Sequence, residues 1–112
     1  MSEYLKHLLK QYTIGILDIY GNDLKSVILY GSYARNDFNE DSDQDIMILV
    51  NLTEEQIQNT REIVSEYTYD FNMKYDLNII PVVKSADHFE YWSKVYPFYI
   101  NINKEGVELY AS

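Results

Sequence analysis

Gly31-Ser32-Tyr33-Ala34-Arg35 is followed, after ten residues counted from Ser32, by Asp43-Gln44-Asp45. The pair of motifs lies between two apolar runs, Val27-Ile28-Leu29-Tyr30 and Ile46-Met47-Ile48-Leu49-Val50. Short apolar runs bounded by turn residues read as buried strands. One strand therefore leaves into a small, bendable, hydroxyl-bearing turn, and the next strand opens on two carboxylates. Glycine permits positive φ and a close approach of backbone to ligand. If a helical turn starts at Ser32, its first amides point at one spot and attract an anion, and the serine hydroxyl adds a donor. On a strand, residues i and i+2 share a face, so the Asp43 and Asp45 carboxylates lie side by side. Two anions that close raise each other's pKa unless a cation sits between them. A hard divalent ion such as Mg²⁺ takes carboxylate oxygens and keeps positions for phosphate oxygens and water.

Each motif alone has a plainer reading. Most Gly-Ser dipeptides are ordinary turns, and an Asp-x-Asp can be a solvated loop running into a strand. The strongly apolar residues after Asp45 place this pair at the rim of a core, where unpaired charge is costly. Together, in this order, the motifs point to nucleotide phosphates held beside a metal. A metal site of this kind uses a third carboxylate from elsewhere in the chain. Asp76 is the best candidate, opening an apolar stretch, Tyr75-Asp76-Leu77-Asn78-Ile79-Ile80, that reads as a strand. From there its side chain can reach the face of Asp43 and Asp45, or equally face water. Asp70 and Asp87 fall at helix-end or loop positions and are weaker.

Working outward, apolar residues at Leu5, Leu8, Leu9, Tyr12, Ile16, Leu17 and Tyr20 have helical spacing, with Ser2 as cap and Gly21-Asn22 as stop. Residues 26–30 form a strand, 32–36 one helical turn, 37–42 a polar loop and 45–50 a second strand. Thr53-Glu54-Glu55-Gln56 is a capping box, starting a helix that runs to about Tyr69 with Ile57, Val64 and Tyr67 inward. Pro81 ends the third strand or places it at an edge. Ser85 caps a helix carrying Phe89, Trp92 and Tyr96, stopped by Pro97. Phe98 to Ile102 reads as strand, then a turn at Lys104-Glu105-Gly106 leads to a last strand, Val107 to Tyr110. Alternating helices and strands predict an α/β (α+β) domain with a mixed β-sheet and helices packed mainly on one face.

The chain has 112 residues, fitting one domain over 1–112. Apolar residues make up 46%, enough for a packed core. There is no cysteine, which excludes disulfides, thiolate metal sites and cysteine nucleophiles. No apolar run reaches the ~18 residues that span a bilayer, and the first residues lack a signal pattern, so a cytoplasmic setting is the expectation. Net charge is −9, which disfavours long nucleic acid, because affinity there comes from Lys and Arg on phosphates. Mg²⁺-chelated nucleotide stays compatible, since the metal reverses local charge. Twelve tyrosines read first as core and sheet residues whose hydroxyls reach polar groups, and second as a partner surface. His7 and His88 have no ligand spacing between them and read as ordinary helix residues.

Gly31-Ser32-Tyr33-Ala34-Arg35-Asn36 through Ser42-Asp43-Gln44-Asp45-Ile46 resembles the signature of the DNA polymerase β-like nucleotidyltransferase superfamily. The short chain resembles its minimal members, which include antitoxin partners of HEPN-domain toxins. The resemblance covers about 20 residues. It implies that Gly31 and Ser32 hold the β- and γ-phosphates of ATP. It implies that Asp43 and Asp45 chelate Mg²⁺, one ion or two, and that Asp76 is the third carboxylate, helping to activate the attacking hydroxyl. Ser42 matches the serine before the Asp pair, which orients it by hydrogen bonding. Arg35 matches a basic position that approaches either phosphate or an acidic neighbour. Asn36 stands where glycine is usual, and asparagine tolerates left-handed geometry.

The function so implied is transfer of AMP from ATP to a hydroxyl, a tyrosine of a HEPN-type toxin, by an antitoxin. One rival is a binding module that neutralises its partner by contact alone. Another is transfer to a small molecule such as an aminoglycoside, for which the acceptor site would have to come from a dimer or second subunit.

Overall fold

The computed structural model describes residues 1–35, 39 and 42–112. Asn36 and most of the 37–42 loop lie outside the described residues. Helix α1 (Glu3–Tyr20) leads through a 3-10 turn (Gly21–Asp23) to strand β1 (Leu24–Tyr30) and the single turn α2 (Ser32–Arg35). Strand β2 (Gln44–Val50), helix α3 (Glu54–Tyr75) and strand β3 (Ile79–Ser85) follow, then α4 (Ala86–Trp92), α5 (Pro97–Glu105) and β4 (Val107–Ala111). The four strands form one mixed sheet in the order β3-β2-β1-β4. β1 is antiparallel to both β2 and β4, whereas β2 and β3 run parallel.

Local chemistry accounts for the helix ends. The Ser2 hydroxyl accepts from the Leu5 amide at 3.1 Å. Thr53 and Gln56 form the reciprocal capping box, satisfying two amides that the first turn leaves unpaired.

The two long helices cover one face of the sheet. There Leu9, Tyr12 and Ile16 of α1 and Ile57 and Val64 of α3 pack on Val27, Leu29, Ile46, Ile48 and Val50. The short helices α4 and α5 cover part of the other face, where Phe89, Tyr99 and Ile102 pack on Met47, Leu49 and Ile28. A strand buried on both faces cannot alternate apolar with polar, which is why Ile46–Val50 is an unbroken apolar run. Tyrosines stitch α1 to α3. The Tyr12 and Thr68 hydroxyls are hydrogen-bonded at 2.7 Å in the core. The Tyr67 hydroxyl donates to the Tyr12 carbonyl at 2.9 Å, its ring stacked on that of Tyr12 at 5.2 Å.

Two stretches differ from the sequence-based expectation. Helix α3 continues to Tyr75, past Tyr69, so the strand expected from Tyr75 begins only at Ile79. Residues 98–102 are helical: Pro97 opens α5, and α4 ends already at Trp92, so Tyr96, expected on that helix, is the N-cap of α5. Proline has the right φ for the first helical position, where its missing N–H costs nothing. The alternating apolar pattern of this segment concealed Tyr99 and Ile102, the buried pair at helical spacing.

Candidate active site

The site lies at the end of the sheet where β1 leaves and β2 enters. Tyr30, last residue of β1, is the antiparallel partner of Asp45. Gly31 follows with φ 77°, and a Cβ built on it would stand 2.5 Å from Asp45 Oδ2. The residue is thus glycine for two reasons, its backbone sign and the carboxylate pressed against it. Ser32 opens α2, and the turn closes through the Arg35 amide donating to the Gly31 carbonyl at 3.2 Å. Tyr33, buried against the α1/α3 core, anchors it.

Asp43 stands just before β2 and Asp45 within it, two residues apart, the spacing at which side chains on an extended backbone share a face. Burial is the main cause that lifts the Asp45 carboxyl above its usual pKa, Asp43 adds to it, and Arg35 opposes. Burial and then the Asp45 charge raise the neighbouring Tyr30 phenol. Two carboxylates on one face at the core rim, one of them reluctant to ionise, match the donor set that a hard divalent cation stabilises. The residues present therefore fit Mg²⁺ at Asp43 and Asp45.

Arg35 Nη1 stands 3.8 Å from Glu105 Oε2 of α5. An acidic neighbour is one of the two approaches open to Arg35, and Glu105 supplies it. A cleft of about 180 Å³ lined by Tyr30, Gly31, Arg35, Phe98, Ile102 and Glu105 adjoins the turn. Ser42 is not seen to bond the Asp pair among the described residues; its hydroxyl accepts from the Asn39 amide at 2.9 Å and its amide donates to the Asn39 carbonyl at 3.1 Å.

Asp76 requires correction. It is not on a strand but is the C-cap of α3, with left-handed backbone (φ 54°, ψ 49°), its amide donating to the Asn72 carbonyl. Among the described residues, no three His, Cys, Asp or Glu side chains are grouped to hold a metal, so Asp76 does not join Asp43 and Asp45. The strand starts later because the Asn72 side chain clips both backbone groups of Ile79, accepting from its amide at 2.9 Å and donating to its carbonyl at 3.1 Å. Asn78 stands beside Asp43 instead, its Nδ2 donating to Asp43 Oδ1.

Gln44, buried between the two aspartates in sequence, fixes that placement. Its amide donates to the Asn78 carbonyl at 3.0 Å and its Oε1 accepts from the Asn78 amide at 2.9 Å. Tyr30, Gln44, Asn78 and Glu105 were not singled out from the sequence. Asn78, two residues beyond Asp76 and so of the same strand parity, carried the only usable signal. His7 lies on α1. His88 lies on α4 with its ring edge-on to Tyr99 at 5.9 Å. Among the described residues, no helix is long and apolar enough to cross a membrane.

Residues 4–94 match the family model described as "Polymerase beta, Nucleotidyltransferase". A protein of Methanocaldococcus jannaschii bearing the name "putative protein adenylyltransferase" is 38% identical over 78 residues, covering 68% of this chain and 75% of its own. A second so named from that organism is 30% identical over 105 residues, covering 91% and 94%. Among solved structures, a "putative nucleotidyltransferase" from Sulfolobus solfataricus superposes with TM-score 0.65 at 19% identity, covering 95% of this chain and 79% of that one. A structure titled as a toxin-antitoxin with AMP-PNP superposes with TM-score 0.58 at 18% identity, covering 92% and 73%. At such identities the superpositions speak for the fold. The family match spans most of the chain, including the Gly31-Ser32 turn and the Asp43/Asp45 pair. On that match the chain belongs to the polymerase β-type nucleotidyltransferase family.

Proposed function

We propose that this nucleotidyltransferase moves AMP from ATP to a hydroxyl, a tyrosine of a HEPN-type toxin, and acts as that toxin's antitoxin. The observation that carries the reading is the contact between the Gly31 turn and the Asp45 carboxylate, which sets the candidate phosphate turn directly beside a candidate metal-binding side chain. Gly31 and Ser32 hold the β- and γ-phosphates, and Arg35 can exchange Glu105 for phosphate. Asp43 and Asp45 would hold Mg²⁺, which when bound neutralises the triphosphate. The acceptor oxygen forms a bond to the α-phosphorus, the bond from that phosphorus to the bridging oxygen of the β-phosphate breaks, and pyrophosphate leaves. The hydroxyl proton passes to solvent. The turn contributes orientation, keeping the leaving group in line with the acceptor.

The named adenylyltransferases among the relatives support a protein acceptor. The toxin-antitoxin neighbours support a toxin as that acceptor, and a net charge of −9 suits a basic partner. Label from α-labelled ATP should reach the partner with the wild-type chain and not with Asp43→Asn/Asp45→Asn. Undiminished transfer by the double variant would sink the mechanism.

One observation favours a second reading, neutralisation by binding alone. Tyr91 of α4, Val95 and Tyr96 of the connection to α5, and Phe98 of α5 are exposed, with Tyr91 74% and Phe98 49% accessible. Aromatic residues left in water mark partner surfaces. Protection of toxin-expressing cells by the double Asp variant would make binding sufficient.

A further inference from the structure

We infer that Asn78 is the third member of the metal site, a neutral positioning residue standing where a third carboxylate is expected. This rests on the nucleotidyl-transfer reading above.

Three observations converge on it. β2 and β3 are parallel with Gln44 paired to Ile79 and Asp45 to Ile80, so continuing the register one step sets Asn78 beside Asp43. Gln44 locks this step from both sides, through its own amide and its side-chain oxygen. The Asn78 side chain then donates to Asp43 Oδ1. A carboxylate only accepts, so the amide nitrogen is the end that faces it. Asp76, the acidic residue nearest in sequence, is held away on the left-handed cap of α3.

The chemical consequence is specific. With an amide in third place, two carboxylates would hold the cation, and Asn78 offers no carboxylate to accept the acceptor's proton. Asn78 instead holds Oδ1 of Asp43, which fixes the rotation of the carboxylate that would ligate the ion. Groups that orient a ligand carboxylate govern metal affinity although they do not touch the metal themselves.

The test is calorimetric titration of Mn²⁺–AMP-PNP into the whole chain, with Asn78→Ala, Asn78→Asp and Asp43→Asn, paired with thermal melting in EDTA and in Mn²⁺. The main-chain clip to Gln44 survives both Asn78 changes, so the fold should persist. Asn78→Ala should weaken binding about tenfold. Asn78→Asp should melt lower than wild type in EDTA, because three carboxylates repel. It should gain more from Mn²⁺ and bind Mn²⁺–AMP-PNP roughly tenfold tighter, because affinity follows ligand charge. A purely structural Asn78 would shift melting in EDTA with binding unmoved. Both Asn78 variants binding within about twofold of wild type would overturn the inference alone. Wild type and Asp43→Asn binding equally weakly would overturn the metal reading together with it.

Discussion

The backbone of Gly31 and the carboxylate of Asp45 are in direct contact: a Cβ at position 31 would stand 2.5 Å from Asp45 Oδ2. The turn and the carboxylate are therefore one mechanical unit. Gly31→Ala puts an L side chain at φ 77°, at a cost of about 1–2 kcal/mol, and it must also displace the carboxylate. Nucleotidyl transfer should fall ~100-fold, since a shift of about 1 Å at a reacting centre costs that much. Steady-state transfer assays, with circular dichroism to verify folding, check this. Near wild-type activity would show that the contact is dispensable.

The Arg35–Glu105 pair is half-exposed at 3.8 Å, and such pairs contribute about 0–1 kcal/mol. Glu105→Gln should accordingly leave the denaturation midpoint almost unchanged. If Arg35 exchanges Glu105 for phosphate, the same change should lower the KM for ATP. An unaltered KM would restrict Glu105 to a surface contact.

Gly15 lies inside α1, where alanine ordinarily gains about 1 kcal/mol over glycine. Here a Cβ would overlap the Tyr67 ring, which is stacked on Tyr12 and bonded to its carbonyl. Gly15→Ala should destabilise the protein by roughly 1–2 kcal/mol net, because ring and hydrogen bond must both give way. Chemical denaturation decides it, and a rise in stability would mean that Tyr67 moves at little cost.

Alkaline pH should loosen the same seam. Burial, and next the charge of Asp18, push the Tyr67 phenol up to about 12, and burial raises Tyr12 as well. A folded-state pKa above the unfolded value of about 10 means that the folded state binds the proton more tightly. The stabilisation is complete below pH 10 and is lost as pH climbs through the folded value. Stability should therefore decline above pH 10, and Tyr67→Phe should make the decline shallower. Denaturation midpoints across pH 9 to 12 measure both slopes, and equal slopes would exclude Tyr67 as a source.

By itself the sequence determined whatever depends on neighbours along the chain. The Gly31-Ser32 turn, the shared face of Asp43 and Asp45, the capping box at Thr53 and the apolar run of β2 all follow from spacing and local sterics. Those rules act over a few residues and need no partner strand. Tertiary structure decided which residue stands beside Asp43. Asp76 and Asn78 have the same strand parity, and only the clips from Asn72 and Gln44 set where β3 begins and which residue stands beside Asp43. It also decided that residues 98–102 are helix, because burying Tyr99 and Ile102 against β1 and β2 outweighs an alternating pattern that strand and helix can both satisfy.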